Sequence, residues 1–198
     1  MNLKAYAASV PQPGRQNEDA FFIDRLYPLV AVFDGQGNAE NVAKKAARQL
    51  ERLCRENGSK PDWTKTAKLL DSYLLGVNKS TMVAASLTED MVSVCCVGDS
   101  RAYLVRNGQV TILTEKANKQ KLGSGSVQPL VKQITVKDRD LVLLMTDGAF
   151  TPLSLYLLSK ITVKNLLNLP ELPHELLKQS TKAGIWDDAT VVCMCIRG

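Results

Sequence analysis

The chain has 198 residues, of which 45% are hydrophobic and 23% charged, and its formal net charge is +5. This length predicts one domain over residues 1–198, and the apolar fraction excludes a disordered chain because it is sufficient for a full core. No apolar run could cross a bilayer, the N-terminus lacks the pattern of a signal peptide, and the mild charge does not indicate nucleic-acid binding, so we expect neither a membrane nor a nucleic acid as a partner.

The hydrophobic periodicity predicts a series of strands and helices. In chain order these are strands over 3–9, 20–23 and 29–34, helices over 39–56 and 62–77 (the second capped by Asp62), and strands over 81–88, 91–98, 101–106 and 109–114. A lysine-rich loop over 115–126 follows, then strands over 130–136 and 141–146, helices over 152–159, 162–168 and 173–182, and a strand over 189–196. The four strands from 81 to 114 are separated by short turns, which is typical of an antiparallel meander. Because strands and helices come in blocks, we expect an α+β layered fold.

The five cysteines indicate the redox environment of the protein. Four of them lie in predicted strands, and Cys193 and Cys195 share one strand face, which would also suit a soft metal. Buried, reduced core thiols are the more common role of such cysteines, and they favour a cytoplasmic location.

Four apolar runs share one feature, since each has an aspartate at its end. The clearest is LVAVFDGQG, residues 29–37, in which Asp34 and Gly35 follow a predicted buried strand. Asp99 and Asp147 also follow apolar strands, and Asp187 precedes the last one. One such aspartate would be an ordinary turn residue, but four of them predict a shared acidic edge.

Carboxylates at one edge repel one another, so a cluster that stays ionised near neutral pH needs cations. Hard oxygen ligands without nearby histidine or thiolate favour Mg²⁺ or Mn²⁺. Two such ions bridged by one carboxylate can lower the pKa of a water, whose hydroxide can then attack a phosphoester. Arg15, in the same loop as Glu18 and Asp19, is suited to grip a phosphate, although it could equally be a solvated loop arginine. The residues therefore predict a divalent-metal phosphoester hydrolase.

A set of short motifs occurs in a fixed order along the chain: NEDA (17–20), VFDGQG (32–37), ST (80–81), VGDSRAYL (97–104), LTE (113–115), TDG (146–148) and DDATVV (187–192). From about residue 14 onwards this set resembles the metal-dependent protein serine/threonine phosphatases, the PPM or type 2C family. The resemblance implies a four-layer α-β-β-α sandwich, in which two antiparallel sheets are flanked by helices and a dinuclear Mn²⁺ or Mg²⁺ site lies between them.

The resemblance also implies roles for individual residues. Asp34 would bridge the two metals, and Gly35 would offer its backbone carbonyl to one of them. Asp147 and Asp187 would hold the other metal, while Glu18 and Asp19 would reach the metals directly or through waters. Asp99, together with Asp147, would hold a weaker third metal. Arg15 would bind the substrate phosphate.

The sequence departs from the family pattern at several positions. Arg15 stands four residues before Asp19, where the family arginine usually stands five before, and Lys79 replaces a usual glycine. The only histidine, His174, lies in a proline-flanked helical region, so no histidine general acid is evident. The flap is shortened to a loop of about residues 115–126, and the final motif reads Asp187–Asp188. The short length and reduced flap resemble the compact bacterial branch of the family.

Three functions follow as alternatives. The first is an active phosphatase for phosphoserine and phosphothreonine in a phosphorylated protein, such as a kinase-regulated signalling protein. The second is a catalytically weak pseudophosphatase that binds phosphoproteins, and the third is a small-molecule phosphoesterase. In the shortened loop, Lys116, Lys119 and Lys121 could form an electropositive rim that steers a phosphoprotein, or simply a solvated flexible loop.

Overall fold

The computed structural model describes residues 2–37, 41–58, 60–184 and 186–198. The strands are Asn2–Val10 (β1), Ala20–Ile23 (β2), Leu29–Phe33 (β3), Gly35–Gln36 (β4), Lys79–Ser80 (β5), Met82–Thr88 (β6), Met91–Val97 (β7), Arg101–Arg106 (β8), Gln109–Ile112 (β9), Leu130–Thr135 (β10), Leu141–Met145 (β11) and Ala189–Arg197 (β12). The helices are Val42–Asn57 (α1), Trp63–Leu74 (α2), Asp147–Phe150 (α3), Leu155–Lys164 (α4) and Leu172–Lys182 (α5), and a 3₁₀ turn covers Leu169–Glu171.

The strands form two five-stranded antiparallel sheets. The first sheet has the order β1-β12-β11-β8-β9, and the second has the order β10-β7-β6-β3-β2. A separate two-stranded ladder pairs β4 with β5. In the first sheet β1 is an edge strand, as the weak alternation of residues 3–9 predicted.

Three hydrophobic clusters fill the spaces between the layers. One lies between α1 and α2 and the second sheet, another between α3, α4 and α5 and the first sheet, and the third between the two sheets. Strand β3 shows how one strand serves two clusters: Leu29, Ala31 and Phe33 pack on the helix side, whereas Val30 and Val32 pack between the sheets. The alternation follows from the two-residue period of a strand. The predicted four-layer α+β sandwich is therefore confirmed.

The predicted antiparallel meander over residues 81–114 is wrong at its centre. Strand β6 pairs with β7 in the second sheet, whereas β8 pairs with β9 in the first. The chain crosses between the sheets at Gly98 and Asp99, and Gly98 has the left-handed φ of 97° that this change of direction uses. Turn spacing reports where strands end, but burial of both strand faces decides which sheet each one joins.

Two helix predictions also need correction. In place of the helices predicted over 152–159 and 162–168 there is one helix, α4, which covers Leu155–Lys164 and buries Leu158, Ile161 and Thr162. The short helix α3, immediately after β11, was not predicted. The Asp62 cap is confirmed, since its Oδ1 accepts a hydrogen bond from Lys65 N at 3.0 Å. The start of the predicted helix over 39–56 includes residues 39–40, which lie outside the described residues.

All five cysteines are buried and free of disulfide bonds, as predicted. Burial raises the pKa of Cys193 and Cys195, so both are poor soft-metal ligands in this environment. Among the described helices, none has the length and hydropathy needed to cross a membrane.

Candidate active site

Asp34 lies at the end of the fully buried strand β3 and is itself buried. Its backbone is fixed from two sides. The amide donates to Thr81 Oγ1 at 3.1 Å, and the carbonyl accepts from Thr81 N at 2.8 Å and from Ser80 Oγ at 2.9 Å. The Ser-Thr pair thus holds the position from which the Asp34 carboxylate projects.

The four strand-end aspartates share one electrostatic neighbourhood. The pKa of Asp34 is raised from 3.8 to about 7: burial raises it most, the cation of Lys121 lowers it, and the charges of Asp147, Asp187 and Asp99 raise it. Burial also raises the pKa of Asp147, with further contributions from Asp187 and Asp99. The acidic edge predicted from the four strand ends is therefore present as a mutually repelling group of carboxylates.

Two oxygens of this group lack hydrogen-bond partners. Asp99 Oδ1 and Asp147 Oδ1 are buried and unpartnered, and they are two of the three such side-chain oxygens in the described residues. A buried carboxylate oxygen without a partner is energetically costly. A hard cation can satisfy such an oxygen by binding it as a ligand. The donor set fits Mg²⁺ or Mn²⁺ in this respect. Within the described ranges, however, no group of three or more Asp, Glu, His or Cys side chains is placed so that it could hold a metal ion without rearrangement.

The N-terminal loop brings a further acid, Asp19, toward the cluster. Asp19 is buried, and Thr146 Oγ1, at the end of β11, donates to its Oδ2 at 2.8 Å. Burial raises the pKa of Asp19 well above its ordinary value, hydrogen bonds from Thr190 and Thr146 lower it, and the charge of Asp34 raises it. The loop residue Asp19 is therefore tied to the strands that carry Asp147 and Asp187.

Asp188 fixes the same loop from the other side, a role that was not predicted. Its Oδ1 accepts from Gln12 N at 2.6 Å, and its Oδ2 accepts from Glu18 N at 2.5 Å. Arg15, which is exposed, lines a polar cleft of about 490 Å³ together with Glu18, Asp187 and Asp188. The predicted phosphate-binding arginine and two of the predicted metal ligands therefore face one cleft.

Two glycines allow the acidic loops to approach each other closely. A Cβ on Gly35 would lie 2.7 Å from the Glu18 carbonyl oxygen. A Cβ on Gly148 would lie 2.1 Å from the Asp188 carbonyl oxygen. The glycine of each Asp-Gly motif is therefore required for packing, in addition to any part it plays in binding.

Lys121 occupies a position different from the one predicted for the loop lysines. Lys116 and Lys119 are exposed, but the Nζ of Lys121 lies 3.8 Å from Asp34 Oδ2. Its positive charge lowers the pKa of both Asp34 and Asp147. Sequence reasoning grouped Lys121 with its exposed neighbours, and the one signal that could have separated it was the adjacent apolar Leu122, which is fully buried.

Comparisons with known proteins support the resemblance at the level of the fold. No protein-family model matches the sequence, and no curated protein matches it. Solved structures do match over almost the whole chain, at low sequence identity.

Three of these structures illustrate the similarity. Stp1, a serine/threonine phosphatase from Staphylococcus aureus, has a TM-score of 0.87 and 20% identity, covering 100% of this chain and 96% of that one. MsPP, a PPM Ser-Thr phosphatase from Mycobacterium smegmatis in complex with cacodylate, has a TM-score of 0.85 and 21% identity, covering 98% of each chain. The catalytic domain of the phosphatase PstP, in complex with two manganese ions, has a TM-score of 0.82 and 19% identity, covering 99% of each chain. This chain therefore has the fold of the PPM-type serine/threonine phosphatases.

Proposed function

We propose that the protein is a Mn²⁺- or Mg²⁺-dependent phosphatase that hydrolyses phosphoserine and phosphothreonine in proteins. The single observation that supports this most is the gathering of Asp34, Asp99, Asp147 and Asp187 from four separate strand ends. Two of these acids carry buried, unpartnered oxygens. The matching PstP domain carries two manganese ions, which favours the same metal chemistry here.

In this proposal Asp34, the Gly35 carbonyl, Asp147 and Asp187 would hold two divalent ions, and Asp34 would be shared between them. Glu18 and Asp19 complete the ligand set directly or through waters, and Asp99 serves a weaker third site. When bound, the ions would supply a water activated for attack on phosphorus. They would also supply positive charge to offset the negative charge of the phosphate. This need for cations accounts for four carboxylates in one neighbourhood.

The protein's own residues position the substrate. Arg15 faces the cleft that Glu18 and Asp187 also line, so its guanidinium can hold two phosphate oxygens at once. The cleft is open and polar, which suits a phosphorylated side chain presented by another protein. The only histidine of the sequence, His174, lies on α5 and is not among the residues of the candidate site. We therefore propose that the leaving serine or threonine oxygen takes its proton from water. A kinase-regulated signalling protein in the cytoplasm is the substrate class that we propose.

Phosphate release from a phosphoserine peptide and from p-nitrophenyl phosphate tests the proposal. We expect release by the wild type in Mn²⁺, loss of release in excess chelator, and a fall of at least about 100-fold in Asp34→Asn and Asp187→Asn. Lys119→Gln, a substitution in the exposed part of the shortened loop, serves as the control. No release by the wild type at saturating Mn²⁺ would contradict the proposal.

The substrate class is tested separately. We expect the phosphoserine and phosphothreonine peptides to be hydrolysed with a higher kcat/KM than nucleotide or sugar phosphates. The opposite preference would assign the same site to a small-molecule phosphoesterase.

A further inference from the structure

The lysine that enters the acidic cluster is held there by a well-fixed segment of chain. Leu122, directly after Lys121, pairs with Ser80: Leu122 N donates to Ser80 O at 2.8 Å, and Ser80 N donates to Leu122 O at 3.2 Å. The hydroxyl of the same Ser80 donates to the carbonyl of Asp34. The backbone that carries Lys121 is thus connected through one residue to the backbone that carries Asp34.

The other side of the segment is anchored by Asp71, a buried residue of α2. Its carboxylate accepts hydrogen bonds from Gly123 N at 2.8 Å, Gly125 N at 3.1 Å and Val127 N at 3.3 Å. Leu122 and Val127 are both buried in the cluster beneath α1 and α2. These contacts fix the backbone of the loop, and they therefore fix the point beside the acids from which the side chain of Lys121 extends.

The ammonium of Lys121 is largely shielded from water. The side chains of Lys121 and Asp34 are 16% and 13% exposed, and their charged atoms are 3.8 Å apart. Lys116 and Lys119, in the same loop, are exposed. The chain therefore places one selected lysine, and not a general basic surface, against the aspartate at the centre of the acidic group.

The position of this ammonium conflicts with that of a metal ion. Mg²⁺ and Mn²⁺ bind carboxylate oxygens at about 2.1 Å. An ion on Asp34 Oδ2 would thus stand within a few ångströms of the Lys121 nitrogen, where like charges repel strongly in a partly buried site. The ammonium and a divalent ion compete for the same carboxylate.

We propose that Lys121 is a built-in counter-cation of the acidic cluster, and that a divalent ion can bind Asp34 only when the Lys121 ammonium leaves it. The inference rests on the proposed function, because it takes Asp34 to be a metal ligand. Since residues 122–127 are anchored, the ammonium leaves by rotation of its own side chain, and the backbone of the loop stays in place. Lys121 thereby weakens metal binding and sets the metal concentration at which the site fills.

Calorimetric titration with Mn²⁺ tests this proposal without depending on catalysis. We expect Lys121→Met, which keeps the length of the side chain and removes its charge, to bind Mn²⁺ about five-fold or more tightly than the wild type. Lys119→Met, the matched control in the exposed part of the same loop, should bind as the wild type does. Equal or weaker Mn²⁺ binding by Lys121→Met would overturn the proposal.

A second measurement uses the wild type alone, in case Lys121→Met fails to fold. Acetylation of lysines by an N-hydroxysuccinimide ester, followed by mass spectrometry, reports how accessible each amine is. Lys121 should react slowly in chelator and several-fold faster in Mn²⁺, while the rate of Lys119 stays unchanged. Equal Lys121 rates in the two conditions would overturn the proposal.

The outcomes separate this inference from the proposed function. Tighter Mn²⁺ binding by Lys121→Met in a protein without phosphatase activity would support the counter-cation and contradict the proposed function. Mn²⁺-dependent phosphatase activity, together with equal Mn²⁺ affinities of the wild type and Lys121→Met, would support the proposed function and contradict the counter-cation. Failure of both proteins to bind Mn²⁺ would contradict both.

Discussion

Asp34 occupies a position in which its charge is costly to the metal-free protein. Burial and three neighbouring aspartates raise its pKa to about 7, although Lys121 partly offsets them. In the unfolded chain the same carboxyl has an ordinary pKa near 4. Between these two values the folded state holds a proton that the unfolded state has lost, so stability falls as the pH rises through this window. The raised pKa of Asp147 and Asp19 acts in the same direction.

The first prediction therefore concerns stability against pH in chelator. The free energy of unfolding should decrease between about pH 4 and pH 7 as far as these acids determine it, and Asp34→Asn should flatten the decrease. At pH 8, Asp34→Asn should be more stable than the wild type by about 2 kcal/mol, because the amide carries no charge. Urea unfolding at several pH values measures both effects. A variant less stable than the wild type at pH 8 would contradict this account of Asp34.

At the scale of residues, the sequence predicted that the strand-end aspartates lie in one neighbourhood, but it did not predict which residues support them. Asp34 and Asp147 follow apolar runs, so the local pattern alone located the acidic residues. The contacts of Lys121 and Asp188 are not visible in such a pattern, because they join segments far apart in the chain. Long-range side-chain contacts are decided by tertiary packing, which periodicity does not encode.

At the scale of elements, the short helix α3 and the start of β12 meet at a glycine. A Cβ on Gly148 would lie 2.1 Å from the carbonyl oxygen of Asp188, which is backbone and cannot turn away. Gly148→Ala should therefore cost about 3 kcal/mol of stability and weaken Mn²⁺ binding by moving Asp147 and Asp187 apart. Gly198→Ala, at a glycine with only ordinary contacts, is the control. Wild-type stability in Gly148→Ala, measured by urea unfolding, would show that the two segments are not constrained in this way.

The anchoring of the lysine-bearing loop by α2 gives another prediction. Asp71→Asn removes the charge that three backbone amides share, so it should cost about 2 kcal/mol. Hydrogen exchange at Gly123, Gly125 and Val127 should become faster, whereas exchange in β11 should not change. Asp90→Asn, at an exposed aspartate, is the matched control. Unchanged exchange in the loop would mean that Asp71 does not hold it.

Element boundaries were largely predictable, but their partners were not. The strands of the two five-stranded sheets begin and end within a few residues of the predicted positions, because each is bounded by turn residues, whereas the two-residue strands β4 and β5 were not predicted. The assignment of β7 and β8 to different sheets depends on which faces become buried in the assembled sandwich. Helix α3 was missed because four residues are too few to display a helical period.

At the scale of the whole molecule, the candidate site joins the two sheets. Asp34 follows a strand of the second sheet, whereas Asp147 and Asp187 flank strands of the first, and Asp99 lies in the connection between them. No local unit of the chain contains the complete set. The site therefore exists only in the folded sandwich, and a ligand that binds it should stabilise the whole fold.

Metal-linked stability is the prediction at this scale. At a Mn²⁺ concentration about 100 times the Kd, binding adds about 2.7 kcal/mol, which corresponds to a rise in Tm of about 5–10 °C for a domain of this size. Scanning fluorimetry measures the shift, and Asp34→Asn should reduce it strongly. A rise of the same size in Asp34→Asn would place the stabilising ion elsewhere.

The central claim is that the carboxylates of Asp34, Asp147 and Asp187 surround divalent ions. Anomalous scattering near the manganese absorption edge, from crystals grown in millimolar Mn²⁺, tests it most directly. We predict two manganese peaks among the strand-end aspartates, both in contact with Asp34 and one also held by Asp147 and Asp187. An anomalous map without peaks there, and with the three carboxylates pointing away from one another, would contradict the claim.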